Sequence, residues 1–185
     1  IISIVSLLFF SSALTADKLL DIKNAGVLNA GIKYDFKPFG FINKSGSVVG
    51  FDVDILKQIA KKIGVLPKFQ QVTSKNRIPM LVSGEIDIII ATMTHKRSRD
   101  ETIDFSISYF FDGQAMLVNS NETQTSYRGF NGKKIGAIQG ATSGKNFKKL
   151  QPNAKVVYFQ EYPQAVLALK KGKIDAITTD LVWCI

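Results

Sequence analysis

The chain carries one short pattern twice, as GEIDIIIAT at residues 84–92 and as GKIDAITTD at residues 172–180. Each copy follows a stretch with helical apolar periodicity, at residues 78–83 and 165–171. Glycine ends helices because it adopts the left-handed conformation without strain, and the apolar run behind it is typical of a buried strand. Each copy therefore predicts a helix, a glycine stop and a strand. Two copies predict two similar α/β lobes, and a cleft between lobes commonly binds a small ligand.

The composition and the distribution of charge argue against a nucleic-acid-binding protein and against a protein stabilised by disulfides. Of 185 residues, 45% are hydrophobic and 21% are charged, which are ordinary values for a globular protein. The formal net charge is +9, but the lysines are scattered over predicted helix faces and helix ends. We therefore expect no nucleic-acid partner. The only cysteine, Cys184, excludes an internal disulfide.

The first residues differ from the rest of the chain. Residues 1–14 are almost entirely apolar or serine and carry no charge, and small residues follow before Asp17. This stretch is short for a membrane span and has the length of the apolar core of a signal peptide. We expect residues 1–16 to be a signal peptide clipped at its start, and the mature protein to be soluble and periplasmic.

Periodicity and turn residues predict the elements of the rest of the chain. The predicted strands cover residues 27–33, 68–72, 86–91, 114–118, 134–138, 156–159 and 174–179. The predicted helices cover residues 51–63, 143–150 and 163–171, with a shorter one from about residue 76. This alternation predicts mainly parallel sheets flanked by helices.

Several side chains in these elements have expected structural roles. The helix at residues 51–63 presents an apolar stripe that we expect to face the core: Phe51, Ile55, Ile59 and Ile63. Asp52 and Asp54 suit the positive end of that helix better than they suit catalysis. Asp87 and Asp175, one in each repeat, are expected to make local turn hydrogen bonds.

Polar and aromatic residues follow the strands, where open α/β sheets bind ligands. Aromatic residues fill the run at 34–39, basic residues the run at 95–99, and GATS at 140–143 leads into a helix. An arginine and a helix N-terminus suit a carboxylate, and Asp180 suits an ammonium group. Together these groups predict a site for an α-amino acid. No metal cluster or phosphate loop is recognisable in the sequence.

Four ordered motifs now carry a family resemblance. They are FKPF with GFDVD between residues 36 and 54, TMT through IDFS between residues 92 and 106, GATS at 140–143, and residues 175–180. In these motifs the chain resembles the periplasmic amino-acid-binding proteins of ABC transporters, which are the bacterial extracellular solute-binding proteins of family 3, and among them the polar and general amino-acid type.

The resemblance implies a ligand site made of Phe36, Thr92, Thr94, Arg97 or Arg99, Thr142 and Asp180. In it the phenyl ring flanks the ligand side chain, the first two threonines hold the ammonium and carboxylate groups, and an arginine helped by Thr142 clamps the carboxylate. Asp180 accepts from the ammonium group. The family spacing Thr-x-x-Arg selects Arg97, whereas Arg-x-x-x-Ile-Asp-Phe-Ser selects Arg99, and the two disagree because the loop between them is longer here. We favour Arg99, because its downstream spacing fits better and an aspartate follows it.

The resemblance also implies an architecture and a function. Lobe 1 would cover residues 24–112, and a hinge strand with lobe 2 residues 113–185, with the end of lobe 2 and the return to lobe 1 cut short. The protein would capture a polar amino acid without a cofactor or metal and deliver it, as a monomer, to an ABC permease. It would not be an enzyme. The alternatives are a cyclohexadienyl or arogenate dehydratase on the same scaffold, or the ligand-binding module of a sensor.

Two further expectations concern basic residues near the site. Arg77 lies beside a helix start, and we expect it to lie outside the cleft, with a contact in the cleft as the alternative. The basic loop from His95 to Arg97 hints at a ligand with an acidic or amide side chain, although His95 itself is expected to be a loop residue.

Overall fold

The structure is a computed structural model that describes residues 17–124 and 126–185. The predicted signal peptide, residues 1–16, lies outside the described residues. The helices are α1 (Lys18–Ala25), α2 (Phe51–Ile63), α3 (Arg77–Val82), α4 (Arg97–Asp100), α5 (Ser143–Leu150), α6 (Tyr162–Lys170) and α7 (Leu181–Cys184), with a 3₁₀ turn at Tyr127–Phe130. The strands are β1 (Val27–Ile32), β2 (Asp35–Phe36), β3 (Gly40–Ile42), β4 (Val48–Val49), β5 (Leu66–Gln71), β6 (Ile88–Ile89), β7 (Gln114–Leu117), β8 (Lys134–Ile138), β9 (Lys155–Phe159) and β10 (Ala176–Asp180).

Two sheets organise the chain into two lobes. The first has the order β5-β1-β6 and is parallel, with β1 paired to β5 from Val27 with Leu66 to Ile32 with Gln71. The second has the order β7-β10-β8-β9, in which β7 alone runs antiparallel to its neighbour. These sheets and their flanking helices confirm the predicted two-lobed α/β architecture. The segment expected to be a loop after β1 forms part of a small antiparallel sheet instead, β2-β3-β4.

The two copies of the sequence repeat occupy equivalent places in the two sheets. In the first lobe α3 precedes Gly84 and β6, and in the second α6 precedes Gly172 and β10. Both glycines have left-handed backbone conformations, with φ values of 79° and 65°. The strand of each copy runs parallel to the first parallel strand of its lobe, β1 or β8. The repeat is therefore the scaffold of each lobe.

The repeated aspartates correct one expectation, because their hydrogen bonds are not local. Asp87 Oδ2 accepts from the backbone and side-chain nitrogens of Asn29 at 2.9 and 3.0 Å. Asp175 Oδ2 accepts from the backbone nitrogen of Lys134 at 2.7 Å. In each lobe the backbone nitrogen of the aspartate donates back to the carbonyl oxygen of the same partner. Each aspartate thus fastens its strand to the neighbouring parallel strand. Lys18 also contacts Asp87 at 2.8 Å, which fastens the start of α1 to the first lobe.

The core face of α2 differs from the predicted stripe. Phe51 is 42% exposed, whereas Val53, Leu56 and Ala60 are fully buried against β1 and β5. The isoleucines of the stripe are half-buried at the border of that core. Two apolar stripes lie side by side on this helix, and burial follows the one that meets the sheet.

The parallel strands point their carboxyl ends toward the contact between the lobes. Lys33 and Asp35 follow β1, Thr92 follows β6, Gly140 follows β8, and Asp180 ends β10. Between α4 and β7 the chain passes from the first sheet to the second through residues 101–113, without forming a helix or strand. This crossing segment connects the two lobes.

Candidate functional site

Direct contacts join the two lobes at the carboxyl ends of their strands. Tyr162, the first residue of α6, donates from its backbone nitrogen to Asp35 Oδ2 at 3.2 Å. Its ring meets that of Phe36 edge to face, with 5.0 Å between the centroids. Gly140 packs so closely on the backbone of Ser74 that a β-carbon at residue 140 would collide with the Ser74 carbonyl oxygen. The cleft is therefore closed along these contacts.

The structure separates the two candidate arginines. Arg99 is half-buried, and its guanidinium donates to the carbonyl oxygen of Thr94 in the first lobe and of Gly140 in the second, the latter at 3.0 Å. Arg97 is exposed, and its side chain makes no ion pair with the described residues. The same short helix, α4, carries both residues, and only Arg99 turns to the cleft. Of the two candidates, only Arg99 is placed to contact a group bound between the lobes.

The N-terminus of α5 faces this arginine. Thr142 is the N-cap residue of α5, and it lines a cavity of about 300 Å³ together with Arg99 and Gly140. The cap makes no side-chain hydrogen bond to the helix, so the Thr142 hydroxyl is not committed to capping. A helix N-terminus opposite a guanidinium attracts a carboxylate, because both present N–H donors and positive charge.

The remaining predicted residues lie on other parts of the cleft. Thr92, Thr94 and Asp180 line a larger cavity of about 950 Å³, whose other walls come from the first lobe and from residues 102–112 of the crossing segment. Burial raises the pKa of Asp180, while Lys33 opposes that rise. Phe36 is fully buried and lines neither cavity. The site residues predicted from the sequence therefore lie around the contact between the lobes, but they do not all line the same cavity.

Two buried cations, Lys33 and Arg77, lie among these groups. Lys33 is 4% exposed, and its Nζ lies 4.5 Å from the ring centroid of Phe36 and 5.2 Å from that of Tyr162. Its ammonium group has no carboxylate within 4.0 Å in the described part of the chain. Burial, and then the charge of Arg77, lowers the pKa of Lys33 to about 7.

Arg77 reaches the cleft from the first residue of α3. It is 2% exposed, and Nη1 donates to the carbonyl oxygen of Ala91. Burial, and then the charge of Arg99, lowers the pKa of Arg77 to about 10, although the charge of Asp180 favours the protonated form. Arg77 therefore interacts electrostatically with Arg99, which lines the smaller cavity, and with Asp180, which lines the larger one. It remains charged at neutral pH.

Four buried polar atoms have no hydrogen-bond partner among the described residues, and all lie in the segments that follow strands or at the first residue of the next helix: Ser74 Oγ, Arg77 Nε, Thr92 Oγ1 and Ser143 Oγ. A buried polar group without a partner costs about 1–3 kcal/mol. Proteins keep few such groups, and these four atoms, which come from both lobes, retain the capacity to bind polar partners. Ser74 and Ser143 were not among the residues predicted from the sequence.

Sequence reasoning missed Lys33, Tyr162 and Asp52. Lys33 could have been found from the sequence, because it directly follows the apolar strand β1. A charged residue at the end of a buried strand is unusual, and ligands bind at the carboxyl ends of strands in open α/β sheets. Tyr162 gave no local signal, because its burial comes from packing between lobes. Asp52 is fully buried, unlike its exposed neighbour Asp54, and the sequence does not distinguish the two.

The described residues form neither a metal site nor a membrane-spanning helix. Within residues 17–124 and 126–185, no group of three His, Cys, Asp or Glu side chains is arranged to hold a metal ion. None of the helices in that part of the chain has both the length and the apolar character needed to cross a membrane. Burial raises the pKa of Cys184 to about 11, so its side chain is a thiol at neutral pH.

Comparisons with known proteins give a consistent result. Residues 28–129 match the family model of the bacterial extracellular solute-binding proteins, family 3. The chain is 44% identical over 169 residues to the ABC transporter glutamine-binding protein GlnH of Bacillus subtilis, an alignment that covers 89% of this chain. It is 45% identical over 169 residues to the glutamine-binding protein of Geobacillus stearothermophilus, with 88% of this chain covered. The chain spans 62% and 64% of the lengths of these two relatives.

A solved structure extends the likeness to three dimensions. A crystal structure of a mutant of ArgBP from T. maritima has a TM-score of 0.84 and 35% sequence identity, and the alignment covers 90% of this chain and 73% of that one. Because the alignment covers most of this chain, the structural similarity extends over both lobes and is not confined to one of them. On its sequence and its fold, this chain belongs to the bacterial extracellular solute-binding proteins, family 3.

Proposed function

We propose that the protein captures a polar amino acid in the cleft between its lobes and delivers it to an ABC permease. The observation that carries the proposal is the complementary placement of charge across the cleft. Arg99 and the N-terminus of α5 face one another, and the carboxylate of Asp180 ends β10. Positive groups at one place and a carboxylate at another match the two charges of an α-amino acid.

The α-carboxylate of the ligand binds between Arg99 and Thr142. The guanidinium then exchanges its hydrogen bonds with backbone carbonyls for charge-assisted bonds to the ligand, which are about twice as strong. The ammonium group binds Asp180, with Thr92 and Thr94 as further acceptors. Phe36 and Tyr162 separate as the lobes open and enclose the ligand side chain as they close.

The ligand side chain carries a hydrogen-bond acceptor, a carboxylate or an amide. The sequence attributed this preference to the basic loop from His95 to Arg97, but His95 and Arg97 are exposed, and His95 contacts Asp100 at 2.7 Å. The buried cations Lys33 and Arg77 support the same preference more directly. Both have donor capacity left over, and burying unpaired cations is costly unless a ligand supplies the acceptor. The glutamine-binding relatives agree with this preference.

Membership of the family supports the proposed partner and compartment. A periplasmic or extracellular protein of this family delivers its ligand to a permease that recognises the closed form, and hinge closure through the crossing segment and β7 supplies that form. We propose that it does so as a monomer and without a cofactor.

A dehydratase on this scaffold is a weaker second candidate. Dehydration needs a general acid in the cleft. Asp52 has the required raised pKa, about 6, because it is buried. Its side chain is fully buried, however, and both its oxygens already accept hydrogen bonds from Thr92 and Tyr109. A substrate cannot reach it without displacing those donors, so the geometry favours binding over catalysis.

A thermal-shift screen of the full-length protein tests the proposed function. Each of the twenty amino acids is added at millimolar concentration, with prephenate and arogenate as further samples. A ligand at about 100 times its Kd stabilises the folded state by about 2.7 kcal/mol, which raises Tm by several degrees. We expect a shift with an amino acid that has a carboxylate or amide side chain. No shift with any amino acid, together with aromatic product from prephenate or arogenate, would support the enzyme instead.

A further inference from the structure

Asp52 has an environment that its position at a helix start does not explain. Its neighbour Asp54 is exposed and lies 3.5 Å from Lys57, as expected for a charge in the first turn of a helix. Asp52 is fully buried and has no cation within 4.0 Å among the described side chains. A buried carboxylate persists only where hydrogen bonds satisfy it. The donors that satisfy Asp52 therefore indicate its role.

One donor is the backbone of a proposed ligand contact. Asp52 Oδ2 accepts from the backbone nitrogen of Thr92 at 3.2 Å. Thr92 has a φ of 50°, the only positive value for a non-glycine residue in the part of the chain that the structure describes. This conformation is strained for a β-branched residue, and the surrounding structure must hold it. The Asp52 carboxylate holds the peptide of Thr92, and the Thr92 hydroxyl lies buried without a partner.

The other donor belongs to the segment that connects the lobes. Asp52 Oδ1 accepts from the hydroxyl of Tyr109 at 3.0 Å. Tyr109 lies in the crossing segment, five residues before β7 begins at Gln114. Its ring is also 6.2 Å from that of Phe51, the residue before Asp52. One carboxylate therefore fastens the crossing segment and the strained ligand contact to the same helix start.

We propose that Asp52 is a positioning residue that couples Thr92 to the crossing segment, so that the charge state of this one carboxyl sets ligand affinity. The proposal rests on the proposed function, since it takes Thr92 as a ligand contact. An ionised Asp52 accepts from both donors at once. A protonated carboxyl keeps one good acceptor and turns its other oxygen into a donor, so it releases either the Thr92 peptide or the Tyr109 hydroxyl.

The surroundings place this switch in an accessible pH range. Burial raises the pKa of Asp52 to about 6, although the hydrogen bonds from Tyr109 and Thr92 lower it. Lys33 behind β1 and Arg77 on α3 also face the carboxyl and favour its charged form. The contribution of Asp52 to affinity should be complete well above pH 6 and should be lost as the pH drops through that value. Asp180 titrates in the same direction and Lys33, whose pKa is about 7, acts in the opposite direction, so the Asp52 contribution must be measured as a difference between variants.

Calorimetric titration of the full-length protein between pH 5 and pH 8, with the amino acid found in the screen, tests the proposal. The variants are Asp52→Asn, Tyr109→Phe and, as a matched control in the same helix turn, Asp54→Asn. A hydrogen bond to a charged group contributes about 1.5–3 kcal/mol, so Asp52→Asn should weaken binding about 10- to 100-fold at pH 8 and flatten the pH profile. Asp54→Asn should keep the wild-type affinity and profile.

Tyr109→Phe removes one donor and spares the carboxylate, so it keeps the test valid if Asp52→Asn fails to fold. It should weaken binding by a smaller factor and shift the midpoint of the profile upward, because Asp52 loses a hydrogen bond to its charged form. In the ligand-free wild type, the Thr92 amide resonance should titrate with the midpoint of the wild-type affinity profile.

The coupling would be overturned if Asp52→Asn or Tyr109→Phe kept the affinity and pH profile of the wild type. It would also be overturned if the Thr92 amide resonance did not change with pH. Either result would leave the proposed function standing. A wild type that binds no amino acid would overturn the proposed function and the coupling with it.

Discussion

Arg99 Nη2 donates to the carbonyl oxygen of Gly140 at 3.0 Å and so joins the segment after β6 to the loop before α5. The proposed carboxylate clamp is therefore also a contact between lobes. A ligand carboxylate placed between the guanidinium and the α5 N-terminus would replace this bond with a stronger one and keep the two lobes together.

Arg99→Ala should weaken amino-acid binding, because the substitution removes the charge-assisted clamp. The loss of about 1.5–3 kcal/mol corresponds to a Kd roughly 10- to 100-fold higher. Arg97→Ala should leave the Kd within about twofold, since that side chain is exposed. Calorimetry on both variants decides between the two arginines. The reverse order of effects would assign the clamp to Arg97.

Gly140→Ala should hold the lobes apart. A β-carbon at this residue would collide with the backbone of Ser74, and the left-handed φ of 79° adds strain for any other residue. Gly172→Ala is the matched control, because its φ is 65° and no atom lies within 4 Å of its β-carbon. X-ray scattering with saturating ligand should show an open form for Gly140→Ala and a closed form for the control. Equal closure of both would show that the Gly140 contact does not limit closure.

Ligand binding should take up protons near pH 8 if Lys33 pairs with the ligand side chain. Burial lowers the pKa of Lys33 to about 7, so most of the free protein carries a neutral amine at that pH. An acceptor beside Nζ favours the charged form and raises the pKa, which draws in a proton. Calorimetry in buffers of different ionisation enthalpy measures the uptake. The uptake should disappear in Lys33→Met, and an unchanged uptake in that variant would exclude Lys33 as its source.

Asp87→Asn should destabilise the first lobe. Burial raises the pKa of Asp87, but hydrogen bonds from Lys18 and Asn29 outweigh burial, so the net shift is downward. A lowered folded-state pKa adds stability above the unfolded pKa of about 3.9, and that stability is lost as pH falls through the folded pKa. Urea unfolding at pH 7 should therefore show a loss of about 1–3 kcal/mol, and a smaller loss near pH 3. Asp175→Asn should lower the free energy of unfolding by less, because the Asp175 carboxylate accepts one hydrogen bond and the Asp87 carboxylate contacts three nitrogen atoms of its partners.

Most of the fold was predictable from local periodicity. The helix at Phe51–Ile63 and the strand at Lys134–Ile138 were predicted with their observed bounds, because glycines and charged ends mark them in the sequence. The orientation of that helix was not predictable from its own residues. It carries two adjacent apolar stripes, and the position of the sheet decides which one is buried.

The site was only partly accessible from the sequence. Arg99, Thr142 and Asp180 follow strands, so the chain order alone indicates one edge of the sheets for them. The burial of Lys33, Arg77 and Tyr162 arises where the two lobes meet, and no local pattern reports that contact. The different environments of Asp52 and Asp54 have the same origin, since the helix start meets the crossing segment on one side only.

Calorimetric titration of the full-length protein with glutamine and glutamate, each against wild type and Arg99→Ala, tests the central claim most directly. The predicted result is saturable binding of one ligand per protein for at least one of the two, with a Kd roughly 10- to 100-fold higher in Arg99→Ala. Absence of binding to either amino acid in a folded wild type, or equal affinity in Arg99→Ala, would contradict an amino-acid site at the lobe contact.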